Sequence, residues 1–139
     1  MVTVTPQPPA GARTIEQILA DTRSRLMRLT PTQADQARRQ GAVIVDIRPA
    51  AQRATEGKIP DALIVERNVL EWRFDPTSDA KLPEATGYHL QIIIVCSEGY
   101  TSSLAAASLH DIGLQHATDV IGGFRAWATA GLPTHHTKP

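Results

Sequence analysis

Apolar positions along the chain fall into two alternating kinds of segment, helical stripes and short continuous β-branched runs. Ile15, Ile18, Leu19 and Leu26 recur at roughly helical period behind Thr14-Ile15-Glu16-Gln17, where a hydroxyl precedes Gln by three positions in capping-box spacing. The pattern predicts an amphipathic helix from about Ile15 to Met27. A second helix starts at Thr30-Pro31-Thr32-Gln33, with proline at the first helical position. It ends at Gly41 behind Arg38-Arg39-Gln40, whose charges suit a helix C-terminus.

Ala42-Val43-Ile44-Val45-Asp46 is mostly apolar on both parities, as in a strand buried on both faces. Ala62-Leu63-Ile64-Val65 is a shorter strand, and Gln91-Ile92-Ile93-Ile94-Val95 carries the strongest strand signal in the chain. An alanine-rich helix is predicted over 102–112, stopped by Gly113. A strand over 117–121 follows, then a short helix over 124–130, closed by Gly131-Leu132-Pro133. Short apolar strands alternating with helices define an α/β doubly wound layer structure with right-handed crossovers.

At 139 residues the chain suits one domain with its own core. The expected organisation is a tail over 1–13, an N-terminal helix over 14–28, the main domain over 29–133 and a second tail over 134–139. The first tail carries three prolines and almost no large apolar side chain, too little to offset the entropy of ordering. Fourteen basic and fourteen acidic side chains leave no net charge and no long run of either sign, which argues against nucleic-acid or membrane partners. No apolar stretch reaches the roughly 20 residues that cross a bilayer, and the N-terminus lacks the pattern of a signal peptide. A single cysteine, Cys96, excludes an internal disulfide and any multi-thiolate metal site, and it fits a reducing compartment. The expected location is cytoplasmic.

Cys96 stands where the strongest strand ends and a helix soon begins, the end of open α/β sheets at which ligands bind. In Cys96-Ser97-Glu98-Gly99-Tyr100-Thr101-Ser102, the glycine permits a curled backbone whose N–H groups converge on one centre. Such a nest, backed by a helix N-terminus, favours a thiolate or a persulfide on Cys96. The hydroxyls of Thr101, Ser102 and Ser103 are candidate further donors, and Ser102 and Ser103 are equally ordinary helix-capping residues.

This loop resembles the active-site loop of the rhodanese family, Cys-x-x-Gly-x-x-Ser. Val43-Ile44-Val45-Asp46-Ile47-Arg48 is similar to the family's opening strand with its Asp-x-Arg signature, and Gly57-Lys58-Ile59-Pro60-Asp61-Ala62 to its Gly-His-Ile-Pro-Gly-Ala turn. Gly122-Gly123-Phe124-Arg125-Ala126-Trp127 with Ala130-Gly131-Leu132-Pro133 resembles its closing motif. The resemblance covers about Leu29 to Pro133. It implies a rhodanese-like doubly wound domain: a central, mostly parallel sheet of about five strands with helices on both faces, the N-terminal helix being extra. It also implies a sulfurtransferase in which Cys96 takes a sulfane sulfur from a donor and passes it on through a persulfide, without metal or organic cofactor. Its partners would be small sulfur donors and acceptors, with a protein acceptor as a further option. Ser97, Glu98, Gly99, Tyr100, Thr101 and Ser102 would surround the substrate, supported by Asp46 and Arg48.

Three positions depart from the family pattern. Glu98 stands in a loop that has no cation, which disfavours a dianionic donor such as thiosulfate. Lys58 replaces the usual His, and Asp61 the usual Gly, so the turn is expected to be built differently. Arg48 is expected to pair with Glu56. Phe124 and Trp127 are expected in the core, His110 as a packed or surface side chain, and His135 and His136 in the tail. Trp72 and Phe74 lie in a connection from which they reach either the core or the mouth of the site. Two other functions remain open: a non-enzymatic interaction or sulfur-carrier module, and a cysteine phosphatase, which would need a guanidinium where this loop has Thr101 and Ser102.

Overall fold

A computed structural model describes residues 4–136; positions 1–3 and 137–139, assigned above to the two tails, lie outside the described residues. The elements in chain order are α1 (Ile15–Ser24), α2 (Pro31–Arg39), β1 (Val43–Asp46), α3 (Ala50–Glu56), β2 (Leu63–Ile64), α4 (Leu70–Phe74), β3 (Ile92–Val95), α5 (Thr101–Asp111), β4 (Thr118–Asp119) and α6 (Gly123–Thr129). The strands form one parallel sheet in the order β2-β1-β3-β4.

Four strands are present among the described residues rather than about five. The place beyond β4 is taken by a single parallel bridge between Leu29 and Val120. That bridge also explains why α1 stops at Ser24 and not at Met27. The Arg25 N–H turns back onto the carbonyls of Thr22 and Arg23, and the chain then straightens so that Leu29 reaches the sheet edge.

Strand geometry sends alternate side chains to opposite faces. Ile92, Ile94 and Cys96 therefore face one way, packing with Leu70, Phe74, Ala105, Ala106 and Leu109. Ile93 and Val95 face the other way, against Ala34, Phe124 and Trp127. Helices accordingly cover both faces, α4 and α5 on one side and α2 and α6 on the other, with α1 laid against α5. Both capping boxes are formed, Thr14 with Gln17 and Thr30 with Gln33. The Trp127 indole donates to the Pro133 carbonyl at 2.8 Å, fixing the exit of the closing motif.

Two helices, α3 and α4, carry no periodic signal in the sequence. Residues 50–56 bury nothing, so there is no apolar stripe to read, and α4 is five residues long with only Leu70 and Phe74 turned inward. Asp61 adopts φ 65°, the left-handed conformation for which the family's glycine is suited and which a short polar side chain tolerates. His135, expected in a tail, pairs instead with Lys58 in an antiparallel bridge, with backbone distances of 2.8 and 2.9 Å.

Candidate active site

Cys96 directly follows β3 and is 5 % exposed, its sulfur at the floor of a shallow depression lined by Gln52, Ser97, Glu98, Tyr100 and Thr101. The Gly99 N–H donates to Cys96 Sγ at 3.2 Å, so the loop curls back on the sulfur through one N–H, the single backbone donor bonded to it among the described residues. Gly99 has φ 84°, and a Cβ there would lie 2.8 Å from the Gly122 nitrogen. Gly123, at φ 63°, is tighter still: a Cβ would lie 2.4 Å from the Cys96 carbonyl oxygen and 2.7 Å from the Gly99 nitrogen. The glycine pair of the closing motif is therefore a seat for the cysteine loop. Backbone bonds from Phe124 N–H to the Cys96 carbonyl (2.8 Å) and from Arg125 N–H to the Ser97 carbonyl (3.1 Å) hold the loop in it.

On the near side, the Ser97 hydroxyl donates to Glu56 at 2.7 Å and reaches the Gln52 amide oxygen at 3.2 Å, tying the loop to α3. Glu56 also receives Arg48 (3.0 Å) and Arg125 (3.3 Å). Arg48 is fully buried, forked onto Asp46 at 2.6 Å, bonded to the Gly57 carbonyl at 2.8 Å and stacked 4.1 Å from the centre of the Phe124 ring. Burial alone would lower the basicity of Arg48 and raise the pKa of Glu56. The partners prevail in both: Asp46 and Glu56 hold the guanidinium above its ordinary value, while Ser97, Arg48 and Arg125 hold the Glu56 carboxyl below its own. The expected Arg48–Glu56 pair is thus present, and Asp46 and Arg48 act on the loop through Glu56 and Ser97.

Glu98 is met by Arg125 at 2.8 Å, a cation from α6 that the loop sequence does not reveal. Around the back of the loop, Arg23 of α1 and Arg28 donate to the Gly99 carbonyl at 2.7 and 3.1 Å. Arg28 also grips Asp119 at 2.8 Å, and the buried Asp119 accepts the hydroxyls of Ser102 (2.8 Å) and Ser103 (2.7 Å).

This corrects the expectation for Ser102 and Ser103: both hydroxyls are fully buried and spent on Asp119, leaving none for the sulfur. Thr101 and Tyr100 stay on the exposed rim, the Tyr100 ring 5.6 Å from the Arg23 guanidinium carbon. Trp72 and Phe74 do not line the depression; Phe74 is core, and Trp72 is exposed on α4. His110 packs its ring against the Ala117 carbonyl at 2.7 Å. Sequence reasoning missed Gln52, Asp119, Arg23, Arg28 and Arg125. Arg125 stood inside a quoted motif and was legible in principle, whereas Arg23 and Arg28 lie more than 70 positions from Gly99 and carry no local signal.

A parallel α/β layer with its one cysteine in a glycine turn at the carboxyl end of a central strand places that thiol where open α/β sheets bind their ligands. Residues 30–130 match the rhodanese-like domain, and the chain belongs to that family. The thiosulfate sulfurtransferase GlpE of Pseudomonas savastanoi pv. phaseolicola is 34% identical over 100 residues, 72% of this chain and 85% of its own. GlpE of Pseudomonas fluorescens is 35% identical over 106 residues, 76% of this chain and 88% of its own. Among solved structures, a protein of unknown function from Rhodopseudomonas palustris, described as a possible tyrosine phosphatase, superposes with a TM-score of 0.82 at 32% identity. That match covers 95% of this chain and 100% of the other, so it extends over α1, which the family match leaves out. The polysulfide-sulfur transferase homodimer of Wolinella succinogenes shares the fold, with a TM-score of 0.68 at 15% identity over 88% of each chain.

Proposed function

We propose that the protein is a sulfurtransferase that moves a sulfane sulfur through a persulfide on Cys96. The observation that carries this reading is the Gly99 N–H aimed at Cys96 Sγ at the end of the central strand. The likeness to GlpE adds to it. With thiosulfate as donor, the Cys96 thiolate attacks the outer sulfur, an S–S bond forms, and the bond to the sulfonate breaks as sulfite leaves with its electron pair. An acceptor such as cyanide or a thiolate then attacks the terminal persulfide sulfur and regenerates the thiolate. With one cysteine in the chain, no internal thiol competes for that sulfur, and discharge falls to an external acceptor, small molecule or protein.

In this reading the backbone of Ser97 to Thr101 and the helix start behind it hold the anion, and Ser102 belongs to the frame. Residues 14–28, made up of α1 and the segment that follows it, precede a catalytic domain over 29–133, and a reducing compartment, the cytoplasm, preserves the lone thiol. No helix among the described residues is long and apolar enough to cross a membrane.

Incubation with thiosulfate followed by intact mass tests the proposal. A gain of one sulfur atom, reversed by cyanide with formation of thiocyanate and absent in Cys96→Ala, is expected. A thiol inert to thiosulfate, polysulfide and persulfide donors alike would overturn it.

The name given to the R. palustris structure favours phosphate-ester hydrolysis as a second reading. Against it, the loop ends in Thr101 and Ser102, and the nearby guanidinium groups are engaged with Gly99, Asp119, Glu56 and Glu98. Release of phosphate from an aryl phosphate by the wild type, lost in Cys96→Ser, would favour that reading instead.

A further inference from the structure

The loop around Cys96 contains no cation, yet two guanidinium groups converge on its central carbonyl from a segment that begins upstream of the family match. Arg23 Nη2 lies 2.7 Å and Arg28 Nη2 3.1 Å from the Gly99 oxygen. The two are not equivalent. Arg28 is neutralised by Asp119 at 2.8 Å, whereas Arg23 has no carboxylate partner among the described residues and spends its second bond on the Ser103 hydroxyl at 3.1 Å. Arg23 therefore brings one uncompensated positive charge to the back of the sulfur-binding turn, in a half-buried position where solvent screens it only in part.

Peptide geometry carries the effect inward. The Gly99–Tyr100 peptide is trans, so its N–H points opposite to its carbonyl. With the carbonyl drawn toward Arg23 and Arg28, the Tyr100 N–H is turned away from them, and hydrogen bonding of the carbonyl to a cation strengthens that N–H as a donor. The preceding N–H, that of Gly99, already meets the sulfur.

We infer that Arg23 is a positioning residue for the reaction at Cys96: from α1 it supplies the positive charge that the loop lacks and fixes the orientation of the Gly99–Tyr100 peptide for an anion at the sulfur. The inference rests on the reading of Cys96 as the reacting group. It concerns charge discrimination at that thiol, so it is measurable whether or not sulfur is transferred.

The test compares alkylation of Cys96 in the whole chain by iodoacetate, an anion, and iodoacetamide, its neutral analogue, followed by intact mass. Arg23→Gln is expected to lower the iodoacetate-to-iodoacetamide rate ratio about three- to tenfold at low ionic strength. Arg23→Lys should retain most of that ratio, and Arg25→Gln, which removes an exposed cation one position past the same helix, should leave it within about twofold. A purely structural role would move both reagents together and would not be rescued by lysine. Should Arg23→Gln fold poorly, Arg23→Lys still decides: its ratio should stay close to that of the wild type at low ionic strength, and both ratios should fall together as salt is raised to about 1 M, whereas a ratio insensitive to salt would overturn the inference. Equal changes for both reagents, an unchanged ratio, or the same fall in Arg25→Gln would overturn the inference. Failure of the wild type to take up sulfur, with the expected ratio pattern intact, would overturn the proposed function and leave the role of Arg23 standing.

Discussion

Replacing Gly123 by alanine probes the seat of the cysteine loop more directly than any change to the loop itself. The new methyl would lie 2.4 Å from the Cys96 carbonyl oxygen, 2.7 Å from the Gly99 nitrogen and 2.8 Å from the Glu98 nitrogen, all backbone atoms that no rotamer change can move aside. Left-handed backbone adds roughly 1–2 kcal/mol for a residue with a Cβ. Overpacking against fixed atoms adds about 1–3 kcal/mol. Displacing the loop also strains the bonds from Phe124 and Arg125 to the Cys96 and Ser97 carbonyls, worth about 1 kcal/mol each. The total, about 4–7 kcal/mol, is a large share of the stability of a domain of this size and corresponds to a fall of roughly 12–28 °C in Tm. Gly131→Ala is the matched control, because its φ of 75° is equally left-handed but nothing lies within 4 Å of a Cβ there. It is expected to lose only about 1–2 kcal/mol. Thermal melts, read beside the rate of Cys96 alkylation, separate loop displacement from general loosening. If Gly123→Ala melts within about 3 °C of Gly131→Ala, the loop is not held by that glycine in the way described.

Glu98→Gln should release Arg125 from its 2.8 Å pairing and remove a negative charge at the mouth. Two unit charges at about 4 Å in water interact by about 1 kcal/mol, so a dianion should gain a three- to tenfold lower KM, chiefly below 50 mM salt and with kcat little changed; an unaltered KM for thiosulfate refutes it. Because the Glu56 carboxyl is held below its ordinary range, its contribution to stability is complete above that range and drains away as pH falls through the folded-state value. Urea midpoints across the acid range should therefore fall more steeply for the wild type than for Glu56→Gln. Asp119→Ala leaves Arg28 and two buried hydroxyls unpaired and is expected to cost about 3–5 kcal/mol in urea unfolding, with Asp119→Asn milder.

The sheet was legible because its central strands are buried on both faces, so Val43 to Asp46 and Ile92 to Val95 stand out as continuous apolar runs. The helix ends were legible where side chains cap them, at Thr14 and Thr30. A helix that buries nothing leaves no trace in hydrophobic periodicity, which is why residues 50–56 carry no helical signal although Gly57, which ends them, stands in a recognisable motif. Cys96 and Gly99 were found because strand, cysteine and glycine are contiguous. Their supports were not, since Asp119, Arg23 and Arg28 reach the loop through the fold. Arg125 illustrates the remaining gap: it stands one residue after Phe124 in a motif already singled out, but only the packing of α6 against the loop turns it toward Glu98 and Glu56. The misjudged serines have the same cause, for a hydroxyl at a helix start is drawn to whatever acceptor lies nearest, and here that is a buried carboxylate from the next strand.

Asp119 also sets a limit on how the chain can be divided. Its carboxylate is fully buried and joins three stretches distant in sequence: Arg28 from the linker after α1, the serine pair of α5 and the sheet edge at β4. A chain cut at residue 30, where the family likeness begins, would keep the carboxylate and both hydroxyls but discard the cation that balances them. Such a fragment would leave a buried carboxylate without its counter-ion and open the sheet edge that Leu29 otherwise closes. Charge balance in the interior thus requires Arg28, and the bond from Arg23 to the Gly99 carbonyl draws α1 and its Thr14 cap into the same unit, upstream of where resemblance to relatives fades.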